Sequence, residues 1–413
     1  MEDIDIPSFF LCPISLDIMK DPVTLSTGIT YDRASIEKWL YTSKNNTCPV
    51  TKQLISEPNS ETFITPNHTL RRLIQSWCIL NALDRIPTPK PPVNKAQMSK
   101  LLSEAASAPP HLQLKCLQTV RSISLENESN KRCFESAGGV QFLTSIVVSS
   151  LAGRDPSDEV AECSKCGDEA LTVLWNLQIS EAGLRKLALA HNGEFLTSLI
   201  KILQSGSYDS RAYALFLLKS IYEVVDRVQL ISLSHEIFIE LVQILHDQVS
   251  PKTTRSALEL LALVAPWGRN KVKSVEAGAV GVLIDILLNT SDKRIAEMVL
   301  ILLDTLCGCA EGRSELVGNA AGLAIVSKKI MRVSHEASER AVRILHWVSR
   351  YSATPAVVQE MLQIGAVAKL CLVVQMESRG KTKEKATEIL KMHGRQWRNA
   401  GCIPATLAAF YPS

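Results

Sequence analysis

Seven eight-residue stretches in this chain approximate the pattern Ala-Leu-x-x-Leu-x-x-Leu, with other small or apolar residues at several of its positions. They are Cys116 to Ile123, Ala170 to Leu177, Ala214 to Ile221, Ala257 to Val264, Val299 to Leu306, Ala341 to Val348 and Ala386 to His393. Their starts lie 54, 44, 43, 42, 42 and 45 residues apart. A second marker keeps the same step, a small-residue turn before an apolar run. It recurs as Ala137-Gly138-Gly139-Val140, Asn192-Gly193, Ala277-Gly278-Ala279-Val280, Ala320-Ala321-Gly322-Leu323 and Ile364-Gly365-Ala366-Val367. Within an octad, apolar residues at i, i+1, i+4 and i+7 make one wide stripe on a helix. A unit of this size cannot bury such a face alone, so two markers in phase predict a solenoid of stacked helical repeats. The longer first interval predicts a polar insert within Ser149 to Lys165, around Gly153, Asp155, Pro156, Ser157 and Asp158.

Composition agrees. Aromatic residues are only 5% against 46% apolar overall, which favours helices packed through Leu, Val, Ile and Ala. A net charge of +3 from 45 basic and 42 acidic residues argues against nucleic acid as the partner. Eleven cysteines in 413 residues are too dilute for a disulfide scaffold. The two most apolar stretches carry Asp285 and Asp304 near their middles, so no membrane span is expected. No signal peptide is visible, and a cytoplasmic location, with the nucleus as the alternative, is the default expectation.

The period, and glycine at the turn into the second helix, resemble the armadillo family, with HEAT repeats second. That resemblance implies three helices per unit, the third lining a peptide-binding groove. The octads would then be third helices. A four-proline run, Ile-Pro-Thr-Pro-Lys-Pro-Pro from Ile86 to Pro92, separates the array from a turn-rich N-terminal module. The expected division is a module over 5–79, a linker over 80–98, six to seven repeats over 99–400 and a tail over 401–413. The overall class is mainly α, with a small α+β module followed by an all-α solenoid.

The module's text is Phe-Phe-Leu-Cys-Pro-Ile-Ser-Leu-Asp-Ile-Met-Lys-Asp-Pro-Val from Phe9, then Thr-Gly-Ile-Thr-Tyr-Asp-Arg, Ile-Glu-Lys-Trp-Leu and Cys-Pro-Val-Thr-Lys-Gln. Val23 to Leu25 reads as a strand, Ser26 to Gly28 as a hairpin turn, and Thr30-Tyr31 as the returning strand. Asp32 is expected to cap a helix from Arg33 to Tyr41, with a last helix over Leu70 to Leu83. A two-zinc module would need eight paired Cys or His ligands. Only Cys12, Cys48, Cys78 and His68 stand in this region, unpaired, so no metal and no cofactor is expected.

These motifs resemble the U-box, a RING layout without its metals. The order of module, linker and array resembles the plant U-box/armadillo ubiquitin-protein ligases over nearly the whole chain. The resemblance implies a RING-type transferase that holds a ubiquitin-charged conjugating enzyme and forms no covalent intermediate itself. Rate then comes from orienting the reactants. It places Ile14 and Leu16 of the first loop, with Cys12 and Pro13, and Pro49 of the second loop against the conjugating enzyme, over a floor made by Trp39. Lys52 falls where relatives carry a basic residue that pins ubiquitin's tail. A lysine there gives up bidentate hydrogen bonding. On residue type alone, Ile14, Leu16 and Trp39 read equally well as core. Cys12 and Cys48, each before a proline, read as packing residues.

In the array, Trp175, Asn176, Lys219, Trp347 and Arg350 are candidates to line a substrate groove, with the two tryptophans reading equally as core. Thr88-Pro89 is a candidate phosphorylation site. Cys163-x-x-Cys166 is a lone pair, and Arg379, Lys381, Lys383 and Lys385 a solvated helix end. The family further implies a part in plant stress or immune signalling and allows a homodimer. Rival readings are a non-enzymatic armadillo scaffold and a thioester-forming ligase.

Overall fold

A computed structural model describes residues 6–42, 45–55, 64–81, 93–151, 158–375 and 380–397. Thr88 with its proline run, the centre of the polar insert and the C-terminal tail lie outside the described residues. The chain forms two compact units, Met1–Ile179 and Ser180–Ser413.

The first unit opens with the small α+β module. Its sheet has strand order β2-β1-β3, all antiparallel, from Pro22–Leu25 (β1), Thr30–Asp32 (β2) and Ile64–Pro66 (β3). The hairpin is as expected, with Val23 opposite Tyr31 and Gly28 at a φ of 82°, a left-handed value that only glycine adopts without strain. The third strand was not anticipated, because Thr65 and Pro66 sit among polar residues and Pro66 occupies a sheet edge, where its missing N–H does no harm. Helix α1 is Arg33–Glu37, continued by one wide turn over Lys38–Thr42, and α2 is His68–Leu80. Phe10, Met19, Val23, Leu25, Tyr31, Ile36, Leu40 and Ile74 form the core between sheet and helices.

Asp32 sits at the N-cap of α1 but makes no capping hydrogen bond, contrary to expectation. Its carboxylate instead accepts from the Lys20 and Asp21 amides at 2.8 and 2.9 Å. Asp21 in turn is gripped by Arg33 at 2.6 Å and Arg71 at 3.4 Å. The first loop is thereby tied to both helices by charged hydrogen bonds, the stronger kind.

The rest of the first unit is a helix pair, α3 (Lys95–Ser107) and α4 (Pro110–Glu126), and one three-helix repeat, α5 (Glu128–Ser136), α6 (Gly139–Ser150) and α7 (Asp158–Asn176). The second unit holds five more such repeats. Their first and second helices are α8 (Glu181–Ala188) and α9 (Glu194–Ser205), α11 (Arg227–Ile231) and α12 (His235–Asp247), α14 (Asn270–Glu276) and α15 (Ala279–Asn289), α17 (Ala310–Gly318) and α18 (Gly322–Lys329), and α20 (Pro355–Gln363) and α21 (Ala366–Gln375). The third helices are α10 (Tyr208–Val224), α13 (Pro251–Val264), α16 (Lys293–Leu306), α19 (His335–Tyr351) and α22 (Gly380–Met392).

The octads fall on α4, α7, α10, α13, α16, α19 and α22, with Leu177 and His393 one residue past their helix ends. Ala170, Leu171, Leu174, Ala257, Leu258, Leu261, Val299, Leu300 and Leu303 are fully buried, as the stripe requires. Gly138, Gly193, Gly278 and Gly365 enter second helices at φ of 72° to 89°. The fifth turn departs from this rule. Ala321 there is right-handed, and Gly322 is required for space, since a Cβ would come within 2.1 Å of the Leu316 carbonyl. First helices are pinned to the third helix before them. Asn130 donates to the Ile123 carbonyl, Asn270 to that of Val264, and Arg313 to that of Cys307. Among the described residues, no single helix is long and apolar enough to cross a membrane.

Candidate functional site

The two Cys-Pro loops of the module are built alike. In the first, the Cys12 amide donates to the Asp17 carbonyl and the Leu16 amide to that of Cys12, at 2.9 and 2.8 Å. In the second, the Cys48 amide donates to the Gln53 carbonyl and the Lys52 amide to that of Cys48, both at 2.9 Å. Each loop is closed by an isolated antiparallel bridge, Leu11 to Ile18 and Thr47 to Leu54. Each also forces its fifth residue left-handed, Leu16 at a φ of 62° and Lys52 at 59°. A non-glycine residue there costs roughly 1–2 kcal/mol, so both loops hold strain that turns one side chain outward.

Sulfur takes the place of a metal in holding them. The Asp32 amide donates to Cys12 Sγ at 3.3 Å, and the Thr27 hydroxyl to Cys48 Sγ at 3.4 Å. The Tyr31 hydroxyl and Cys48 Sγ hydrogen-bond at 3.0 Å, and the same hydroxyl accepts from the Val50 amide at 3.3 Å. Burial pushes the Cys48 thiol up, but hydrogen bonds from Thr27, Thr51 and Tyr31 outweigh it and bring it down to about 6. Burial, with the Cys48 hydrogen bond, raises Tyr31 above its ordinary range. A depressed thiol would suit a nucleophile. Yet Cys48 is fully buried, so no substrate reaches it.

Trp39 joins the loops. Its indole N–H donates to the Thr47 carbonyl at 2.8 Å, its ring packs half-buried on the module core, and Lys52 Nζ lies 5.9 Å from the ring. Ile14 is half-buried against the same core, Pro49 is half-buried, Pro13 is exposed, and Leu16 stands 73% exposed. Cys12 is corrected here. Its expected contact with a partner is ruled out by complete burial, and its sulfur shapes the loop from within. Two exposed apolar residues were missed, Val50 at 52% and Leu54 at 78%. The repeated text Cys-Pro-Ile-Ser and Cys-Pro-Val-Thr holds the signal for Val50, which occupies in the second loop the place of Ile14 in the first. Ile14 and Trp39 pack on the same core, while Leu16, Val50 and Leu54 are exposed apolar residues in and beside the two loops. Among the described residues no cluster of His, Cys, Asp or Glu is placed to hold a metal ion.

On the third helices, Lys219, Trp347 and Arg350 stand in polar contacts that link one helix to a neighbouring one within the second unit. In the first unit Arg121 of α4 pairs with Glu169 of α7 at 3.2 Å, while Trp175 and Asn176 lie half-buried at the end of α7. In the second unit Lys219 of α10 pairs with Glu259 of α13. Asp304 of α16 is buried and takes Arg340 at 3.3 Å, Arg343 at 3.2 Å and the Trp347 indole at 3.2 Å, all from α19. Burial raises the Asp304 carboxyl above its ordinary range, opposed by Arg343, Arg340 and the indole. Glu388 of α22 bonds His346 at 2.9 Å and Arg350 at 3.2 Å. Trp347 stacks on the exposed Tyr351 with centroids 5.9 Å apart, and Arg350 lies 5.6 Å from the Tyr351 ring. Lys219, Trp347 and Arg350 are therefore not loose side chains. Each is set in place by a carboxylate on the neighbouring repeat.

Comparison with known proteins agrees with both halves. The U-box domain family matches residues 6–82, and the family described as plant U-box protein ARM repeat region matches residues 97–412. The chain is 51% identical to the E3 ubiquitin-protein ligase PUB22 of Arabidopsis thaliana, covering 100% of both chains. It is also 51% identical to the E3 ubiquitin-protein ligase PUB23 of the same plant, over 100% of this chain and 98% of the other. Among solved structures, a computationally designed armadillo repeat protein for modular peptide recognition covers 60% of this chain at 20% identity and a TM-score of 0.47. A chain that carries these two Cys-Pro loops ahead of three-helix repeats, and that the two family models and the plant ligases match along its length, belongs to the plant U-box armadillo-repeat family.

Proposed function

We propose that this chain is a ubiquitin-protein ligase of the U-box type, recruiting a ubiquitin-charged conjugating enzyme through the two loops and a protein substrate through the third helices. The observation that carries the proposal is the pair of alike, strained Cys-Pro loops, which expose Leu16 and Val50, with Trp39 fastened to the second of them. Such loops form no covalent bond. They hold the charged enzyme so that a substrate lysine meets the thioester in a productive geometry, which is where proximity effects are large. Lys52, turned outward by its left-handed backbone, stands ready to hydrogen-bond a carbonyl of ubiquitin's tail or of the enzyme.

The substrate reading rests on Trp175 and Asn176 in the first unit, and on Lys219, Trp347 and Arg350 in the second. Family likeness supports a role in plant stress or immune signalling, in the cytoplasm or nucleus, with substrates marked for degradation. It also supports a homodimer formed through the U-box. The test is a reconstituted self-ubiquitination reaction, with Ile14→Ala and Trp39→Ala alongside the parent chain. Ubiquitin ladders from the parent and none from the two variants are expected. Full activity in both variants would reject the assigned surface.

A further inference from the structure

Trp39 turns to the second loop, but its neighbours on the same helical stretch meet the first repeat. Arg132 of α5 lays its guanidinium 3.5 Å from the centre of the Tyr41 ring. Glu37, only 2% exposed, has the Ser129 amide of α5 opposing the burial-driven rise of its carboxyl and Arg33 of its own module at 3.7 Å. One residue further along α5, Asn130 is fully buried and accepts from the Val93 amide at 2.9 Å, fastening the chain that enters the repeats. Lys131, between them, neutralises the nearby Glu128 at 2.5 Å.

A carboxylate is almost never buried without partners. Glu37 has one cation from its own domain and the Ser129 amide of the next beside it, while its Oε2 has no hydrogen-bond partner among the described residues. The planar guanidinium over the Tyr41 ring is likewise a contact for which arginine is suited and lysine is not. Burial raises the Glu37 carboxyl above its ordinary range, with Arg33 and the Ser129 amide opposing, as a closed contact would.

We infer that Glu37, Tyr41 and Arg132 clamp the U-box onto the first repeat, so that both move as one head and ubiquitin is delivered in a fixed direction relative to that repeat. The clamp stands on geometry alone, whereas its effect on delivery rests on the ligase reading above. These are positioning residues, since none touches the reacting atoms.

Hydrogen exchange on the full chain tests it, comparing the parent with Arg132→Ala and Arg132→Lys. Loss of a stacking contact of this kind should speed exchange about fivefold in segments 33–42 and 128–136. Exchange in β1 should stay the same. Unchanged exchange at both faces in both variants would overturn the clamp. If Arg132→Ala also loosens β1, Arg132→Lys decides, with a rise confined to the two faces supporting the clamp and no rise overturning it. In the same samples, discharge of ubiquitin from the conjugating enzyme to free lysine should be unaltered, while the set of self-modified lysines widens. A clamp that opens with no change in that set would overturn the delivery role. Absence of discharge by the parent chain would instead reject the ligase reading and leave the exchange result standing.

Discussion

At the scale of single residues, the strained fifth position of each loop separates folding from binding. Leu16→Gly removes a left-handed penalty and should raise the module's stability by about 1 kcal/mol. The same change removes the most exposed apolar side chain of the first loop, and should weaken capture of the conjugating enzyme about tenfold. Thermal unfolding and a binding titration on one sample would show the opposite signs, and a parallel loss of both would contradict this account of Leu16. Cys48 makes a second test. A thiol whose ordinary value of 9.0 falls to about 6 on folding binds fewer protons folded than unfolded between those values. Its contribution to stability is complete above pH 9 and is lost as pH falls through about 6. The melting temperature should therefore drop over that window, and Cys48→Ser should flatten the drop. Equal slopes would show the sulfur to be an ordinary buried thiol. Ile14, Leu16, Trp39 and Pro49 came forward as a group only through the likeness of the Cys-Pro-Ile-Ser-Leu and Cys-Pro-Val-Thr text to the U-box, since on residue type alone they read equally as core. The left-handed backbone at Leu16 and Lys52 was not legible, since neither residue type favours it and only closure of the loop imposes it.

Among elements, the third helices were plain in the sequence, because burial of one face leaves a strict apolar period that survives every change of the outward residues. The polar contacts across them were hidden. Their partners stand some 40 residues apart in the chain, as Lys219 and Glu259 do, and no local pattern pairs them. Asp304 was met only as a charge that breaks an apolar run. Its place is set by three side chains of α19. Asp304→Ala should leave two arginines and an indole without their shared acceptor, lowering the stability of the second unit by about 2 kcal/mol. Asp304→Asn should cost less, since an amide still accepts from Trp347. Equal losses would mean that the carboxylate's charge on the two arginines, and not its acceptance from the indole, organises the site. Turn glycines differ in kind as well. Gly278→Ala meets open space and should cost only the left-handed penalty, about 1 kcal/mol. Gly322→Ala meets the Leu316 backbone and should cost more. Denaturant midpoints of the two variants would rank them.

For the whole molecule, the arrangement separates two tasks. The U-box carries exposed apolar side chains on its loops and no exposed cysteine among its described residues, whereas the repeats offer oriented arginine, lysine and tryptophan side chains. Under the function proposed above, chemistry belongs to the bound conjugating enzyme and selection to the third helices. The proline run and the change of period predict a division between module and array, whereas the chain divides into its two compact units between Ile179 and Ser180. The seating of Glu37 and Tyr41 on α5 was not, because contact between domains leaves no periodic trace in either. The most direct test of this separation is single-turnover discharge of a ubiquitin-charged conjugating enzyme to free lysine, with and without the full chain, in the presence of a zinc chelator. The expected result is acceleration that survives the chelator, disappears with Trp39→Ala, and leaves no thiol-sensitive ubiquitin adduct on the chain. Acceleration abolished by the chelator, or an adduct cleaved by a thiol reductant, would contradict it.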